Sequence, residues 1–206
     1  MPAALPRSPQ GIRYPASCVG LPALEVSLFI DLCCPFSAKI YDTTMKVMST
    51  TKIEGVQAVF HMVPQPWHPQ SCMIHEFSLA VREVAGADAF FTLVKAIFDQ
   101  QPRYFDDKTY GMSRKEIHED LMSLAIESGV FEGGKETEKQ VREFIAIPAE
   151  GGNCGNKSTQ LIKLAAKYHR RLGVHVTPTV FINGIEAADV GSSWTVDAWH
   201  DKLDAI

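Results

Sequence analysis

From Leu24 the chain alternates, with Leu24, Val26, Leu28 and Ile30 apolar against Glu25 and Ser27, and the run stays apolar through Phe29 to Leu32. Period two with a filled-in end predicts a buried central strand. Next comes Cys33-Cys34-Pro35-Phe36-Ser37, after which Phe36, Ile40, Met45, Val47 and Met48 recur in a polar background. Proline suits the first helical position, where a missing N–H is no loss, so Pro35 puts Cys34 at the cap of a helix running to about Ser49. After Gly55, the residues Val56, Ala58, Phe60 and Met62 alternate again. They predict a second strand, closed by Pro64-Gln65-Pro66-Trp67-His68-Pro69. Strand, helix, strand is a βαβ opening, whose handedness favours a parallel pair.

From Ser71 to about Leu172 the period becomes helical. Ile74, Phe77, Val81 and Val84 form one stripe, and Phe90, Phe91, Val94, Ile97 and Phe98 another. Ser113 to Glu116 spells a capping box before Ile117, Leu121 and Leu124, and Thr137 to Gln140 repeats it before Val141, Phe144 and Ile145. A loop at Gly151 to Asn156 precedes a long helix from Ser158 to Leu172, with Gly173 as its stop. Thr179 to Ile182 returns to strand, Asn183-Gly184 is a two-residue hairpin turn, and a closing helix carries Val196, Trp199 and Leu203. The two changes of period divide the chain into an extended, proline-rich arm (1–22), an α/β domain in two pieces (23–75 and 158–206) and a helical insertion (76–157).

Composition narrows the function classes. Against 20 Lys+Arg stand 24 Asp+Glu, a formal net charge of -4, with no basic block longer than two residues. Nucleic acid and anionic membrane are therefore not expected partners. The most apolar long window, Phe77 to Phe98, contains Arg82, Glu83, Asp88 and Lys95, so it reads as helical core and not as a membrane span. No secretory apolar run follows Met1, so a soluble, cytoplasmic protein is expected. Five cysteines, at 18, 33, 34, 72 and 154, make an odd count with two adjacent. Neighbouring Cα atoms lie about 3.8 Å apart, below the usual disulfide range of roughly 4.4 to 6.8 Å, so free thiols in a reducing compartment are expected.

Three motifs stand at matching places: Cys34-Pro35-Phe36-Ser37 at the first strand-to-helix junction, Pro66-Trp67-His68-Pro69 after the second strand, and Val176-Thr177-Pro178-Thr179 before the hairpin. Together with the element order they make Leu24 to Ile206 resemble the DsbA-like family. The resemblance implies an α/β, thioredoxin-like fold with an inserted all-helical subdomain. It also implies a cis Thr177-Pro178 bond beside the nucleophile, leaving the backbone of Thr177 open to a thiol-bearing ligand.

Thiolate is the reactive form of cysteine, and a helix N-terminus stabilises it through unpaired N–H groups and the helix dipole. Cys34 is thus the candidate nucleophile. In the family a second cysteine one turn on resolves the mixed disulfide; here Ser37 stands in that place. A hydroxyl closes no disulfide, so the expected chemistry is one-thiol exchange, with Ser37 donating a hydrogen bond to the Cys34 sulfur and an external thiol releasing the partner. The candidate catalytic residues are Cys34 and Ser37, and the candidate substrate-binding residues are Pro35, Phe36, Trp67, His68, Thr177 and Pro178. No bound cofactor is expected, with glutathione as a co-substrate; the partner is a thiol or disulfide, whether glutathione, a small molecule or a protein cysteine.

Competing readings remain open. Cys33 could attack or resolve, as could Cys72 or Cys154 if folding brought them close. The kappa-class glutathione transferases and chromene-carboxylate isomerases are similar in fold, with a Ser-Pro-Tyr-Ser type motif whose hydroxyl activates glutathione; Cys34 replaces the first serine and Ser37 keeps the last. A non-catalytic binding module on the same scaffold is the third reading. His61, His68 and His75 recur every seven residues, but strand, loop and helix positions define no common face, so no metal site is expected.

Overall fold

The computed structural model describes residues 5–6, 9–17, 22–132 and 134–206. Among them run, in order, β1 (Ile12–Tyr14), β2 (Leu24–Ile30), α1 (Pro35–Thr50), β3 (Val56–Met62), α2 (Ser71–Asp99), a 3-10 turn (Gln101–Tyr104), α3 (Asp106–Thr109), α4 (Arg114–Glu127), α5 (Gly134–Ile145), α6 (Thr159–Arg171), β4 (Thr179–Ile182), β5 (Ile185–Glu186) and α7 (Val196–Asp204).

One five-stranded sheet has the order β1-β3-β2-β4-β5. β2 and β3 are parallel, as the βαβ reading requires, with Leu24 opposite Val56 and Ile30 opposite Met62. β4 lies antiparallel on the other side of β2, with Phe29 opposite Thr179 and Val26 opposite Ile182. β2 is therefore central and buried on both faces, which explains its filled-in apolar pattern. Val26, Leu28 and Ile30 point into the main core with Phe60, Ile74, Phe77 and Trp199, while Phe29 joins Val63, Val174 and Phe181 on the opposite face. β4 and β5 meet through Asn183 (φ 48) and Gly184 (φ 83), the left-handed pair that a type I′ turn needs.

Helix boundaries follow from local chemistry. Pro35 opens α1 directly after Cys34. The Ser113 and Glu116 capping box is present at α4. α6 ends where expected: Gly173 adopts φ +73, and the N–H of Val174 returns to the carbonyl of His169 at 2.9 Å.

Two expectations are corrected. The arm over residues 1–22 contains a strand: β1 pairs antiparallel with β3, Ile12 opposite Phe60. Three residues are too few to show alternation. Residues 1–4, 7–8 and 18–21 of that arm, with Cys18, lie outside the described residues. Thr137 caps no helix, because α5 already begins at Gly134. The two apolar stripes after Ser71 fall, as read, on either side of a break at Gly86, whose φ of 92 and ψ of -179 leave helical space. Among the described residues no helix is long and apolar enough to cross a membrane.

Candidate active site

The site begins where β2 ends. Asp31 follows the last strand residue, Leu32 and Cys33 make the turn, and Cys34 caps α1. Cys34 is 6% exposed, and its thiol faces the carbonyl of Thr177 at 3.4 Å. The Thr177-Pro178 bond is cis. β4 starts beside the end of β2, which is why residue 177 reaches a sulfur so distant in sequence.

Ser37 sits otherwise than expected. It is wholly buried, and its hydroxyl oxygen accepts the backbone N–H of Asp31 at 3.2 Å, so its one resolved bond holds the turn and not the Cys34 sulfur. The geometric cause is that the chain doubles back between Asp31 and α1, bringing the peptide of Asp31 over the first helical turn. Phe36 and Trp67 are each 56% exposed and Val176, next to Thr177, is 50% exposed, so apolar surface is open around Cys34.

Asp31 organises everything beneath the turn, and the sequence reading passed over it. Its Oδ1 accepts the N–H of Cys33 at 3.0 Å and the hydroxyl of Ser71. Its Oδ2 accepts the N–H of Gln65 at 3.3 Å and lies 2.6 Å from Nδ1 of His68. Nε2 of His75 is 3.2 Å from Oδ1 and also 3.2 Å from the N–H of Leu32. One nitrogen serves only one of these at a time, as donor to the carboxylate or as acceptor from Leu32. Burial alone would raise the Asp31 carboxyl, but hydrogen bonding and charge from His75, then bonds from Ser71 and His68, outweigh it and bring it down to about 2. Asp31 is an anion with no exposed surface.

The seven-residue histidine interval is therefore corrected in part. His68 and His75 do meet, on Asp31. His61 goes elsewhere: it stacks on Phe29 at 4.5 Å and Tyr168 at 5.0 Å between ring centroids, and burial holds it down at about 3, hence neutral.

The helical insertion reaches the site through Gln101, which donates from Nε2 to the carbonyls of Leu32 at 3.0 Å and Cys34 at 3.1 Å. Gln101→Leu keeps the volume and removes both bonds. The buried Leu32 carbonyl loses its donor, whereas that of Cys34 keeps the N–H groups of Ser37 and Ala38; chemical denaturation should show a loss of about 1 to 3 kcal/mol, and an unchanged midpoint would mean water replaces the amide.

Other thiols differ from Cys34. Cys33 is 2% exposed, and burial followed by the Asp31 charge pushes its thiol up, out of the reactive range. Cys72 and Cys154 are exposed and free, although packing around the Cys72 sulfur, followed by the Glu76 charge, raises that thiol.

No family model matches the sequence, and no curated protein matches it either. Solved structures do. A provisionally assigned protein-disulfide isomerase from Pseudomonas syringae aligns over 94% of this chain and 97% of its own, with a TM-score of 0.70 at 18% identity. The thiol-disulfide exchange protein alpha-DsbA2 from Wolbachia pipientis aligns over 95% and 86%, with a TM-score of 0.65 at 16% identity. DsbA from Mycobacterium tuberculosis aligns over 95% and 91%, with a TM-score of 0.61 at 22% identity. A central β2 carrying a cysteine-capped helix, Thr177-Pro178 beside it and helices inserted between β3 and β4 place the chain in the thioredoxin fold with helical insertion that DsbA-like proteins share.

Proposed function

We propose that this protein is a thiol–disulfide oxidoreductase working through one nucleophile, Cys34. The observation that carries the reading is the contact of the Cys34 thiol with the Thr177 carbonyl at a helix N-terminus, flanked by exposed Phe36, Trp67 and Val176. An incoming disulfide meets a sulfur, a backbone edge and an apolar collar together. Attack joins Cys34 to one substrate sulfur and expels the other as a thiol that carries away the proton of Cys34. Because residue 37 is serine, release falls to an external thiol, glutathione or a similar small thiol, which leaves joined to the substrate sulfur while Cys34 regains its proton. Pro35 and Phe36, Trp67 and His68, and Thr177 and Pro178 line the substrate on three sides in this reading. The cytoplasmic setting suggested by the odd, partly adjacent cysteines belongs to the same proposal.

The test is intact mass after exposure to oxidised glutathione. Wild type should gain one glutathione, located on Cys34 by peptide mapping, and Cys34→Ser should gain none at that site. An unmodified Cys34 while Cys72 or Cys154 reacts would reject the assignment.

A further inference from the structure

Cys34 lies at the end of the central strand, so it has a flank on each side. β3 runs parallel to β2 and β4 antiparallel, which brings the end of β3 and the start of β4 up beside it. On the β4 flank Thr177 takes the thiol. Just past the end of β3 stands His68, bound to Asp31, whose carbonyl takes the Cys34 N–H at 3.0 Å, and sharing a cleft with Cys33 and Pro35, the two neighbours of Cys34 in the chain.

The state of that imidazole follows from its partner. Asp31 is an anion and can only accept, so the 2.6 Å contact fixes the hydrogen on Nδ1. A neutral ring then carries its lone pair on Nε2, the edge turned from the buried carboxylate. Asp31 has no exposed side-chain surface, whereas the His68 side chain is 22% exposed. It opens on a cleft of about 390 Å³ shared with Cys33, Pro35, Gln70 and Phe105. Among the described residues the ring hydrogen-bonds only through Nδ1.

One-thiol exchange has a use for such a base. The resolving thiol comes from solution, where a group of pKa about 8.5 is mostly protonated at neutral pH and so mostly unreactive. We infer that His68 accepts the proton of the external thiol that resolves the Cys34 mixed disulfide, an inference that rests on the function proposed above. The thiol R–SH gives its proton to Nε2, and R–S⁻ attacks the substrate sulfur. The bond from that sulfur to Cys34 breaks as the R–S–S bond forms. Cys34 leaves as thiolate and takes the proton back from the imidazolium, so the protein returns to its starting state and the external thiol departs oxidised. The groups facing His68 are Asp31 at the end of β2, Ser71 and His75 of α2 through that same carboxylate, Cys33 before α1, and Asp106 and Asp107 of α3. The carboxylates among them stand where the transient positive charge forms.

The experiment starts from wild type and two variants, each carrying glutathione on Cys34, and follows release by reduced glutathione between about pH 6 and 10. His68→Asn is the first variant, because its amide N–H stands where Nδ1–H stood and keeps the Asp31 bond while removing the base; His68→Gln is the second. A thiol of pKa about 8.5 is only about 3% ionised at pH 7, and without the base only that fraction reacts, so both variants should release about 30-fold more slowly at pH 7. They should converge on wild type above about pH 9.5, where the thiol ionises unaided. Wild-type rates at pH 7, or an equal deficit at every pH in both variants, would overturn the inference. If none of the three proteins forms the Cys34 adduct, the proposed function itself falls and this inference with it.

Discussion

Asp31→Ala should cost about 3 to 5 kcal/mol of folding stability, the range seen when one partner is removed from a buried charged network. The carboxylate accepts from the backbone of Cys33 and Gln65, from Ser71, and from His68, with His75 alongside. Taking it away leaves five polar groups facing a void that the packed end of β2 cannot readily close. Against a usual domain stability of about 5 to 15 kcal/mol this is a large share. Urea unfolding measures it, and a change below about 1 kcal/mol would show that the network is ornamental to folding. Asp31→Asn should fall between, since the amide keeps an acceptor oxygen but presents N–H to groups that also donate.

The same carboxylate sets a pH dependence. Its value falls from 3.8 to about 2 on folding, so it stabilises the native state above the unfolded value, and that contribution is lost as pH drops from about 4 towards 2. The shift corresponds to about 2 kcal/mol, undiscounted because the group is fully buried. The margin of wild type over Asp31→Asn should therefore shrink in acid. A margin constant from pH 7 to pH 2 would contradict the assignment of the anion.

Why the sequence hides this residue while showing others is a matter of range. Period two over Val56 to Met62 and proline at position 35 are local signals, and β3 and the start of α1 fall where they point. The Asn183-Gly184 turn is local too, since both residues tolerate positive φ. Cys34, Pro35 and Thr177-Pro178 were legible as one place only through their positions in a fold pattern. β1 was not legible, because Ile12–Tyr14 gains its character from the edge of β3 and not from its own alternation.

Asp31 did leave a trace: a lone charge between Ile30 and Leu32 at the end of an apolar strand has to find partners or be expelled. Those partners lie 34 to 44 residues away, on the loop after β3 and the first turns of α2. No spacing rule connects them. The seven residues between His68 and His75 matter only because α2 starts directly above the end of β2, which is a tertiary fact. Ser37 misleads for a related reason: its place in the motif points to the sulfur, whereas the doubling of the chain gives its hydroxyl to Asp31.

Ser37→Cys should convert the chemistry. Residue 37 is wholly buried in the first turn of α1, one turn from Cys34, so a thiol introduced there has only to rotate away from Asp31 to reach the Cys34 sulfur. The substitution removes the acceptor of the Asp31 N–H, at a cost of about 1 kcal/mol that the fold should survive. In return the second thiol is held in place, and a reactant so held exceeds one arriving from millimolar solution by about 10³-fold or more. Oxidised Ser37→Cys protein should therefore show, by mass and peptide mapping, an internal disulfide between Cys34 and the introduced thiol. Its Cys34–glutathione adduct should no longer accumulate, and it should carry out dithiol-type exchange without added resolving thiol. Wild type under the same conditions should stop at the adduct. Cys33 should not compete, because burial holds its thiol protonated, and Cys33→Ser in the Ser37→Cys background should leave the outcome unchanged. Two results would defeat the one-thiol reading: wild type closing an internal disulfide through Cys72 or Cys154 and cycling unaided, or Ser37→Cys accumulating the adduct as wild type does.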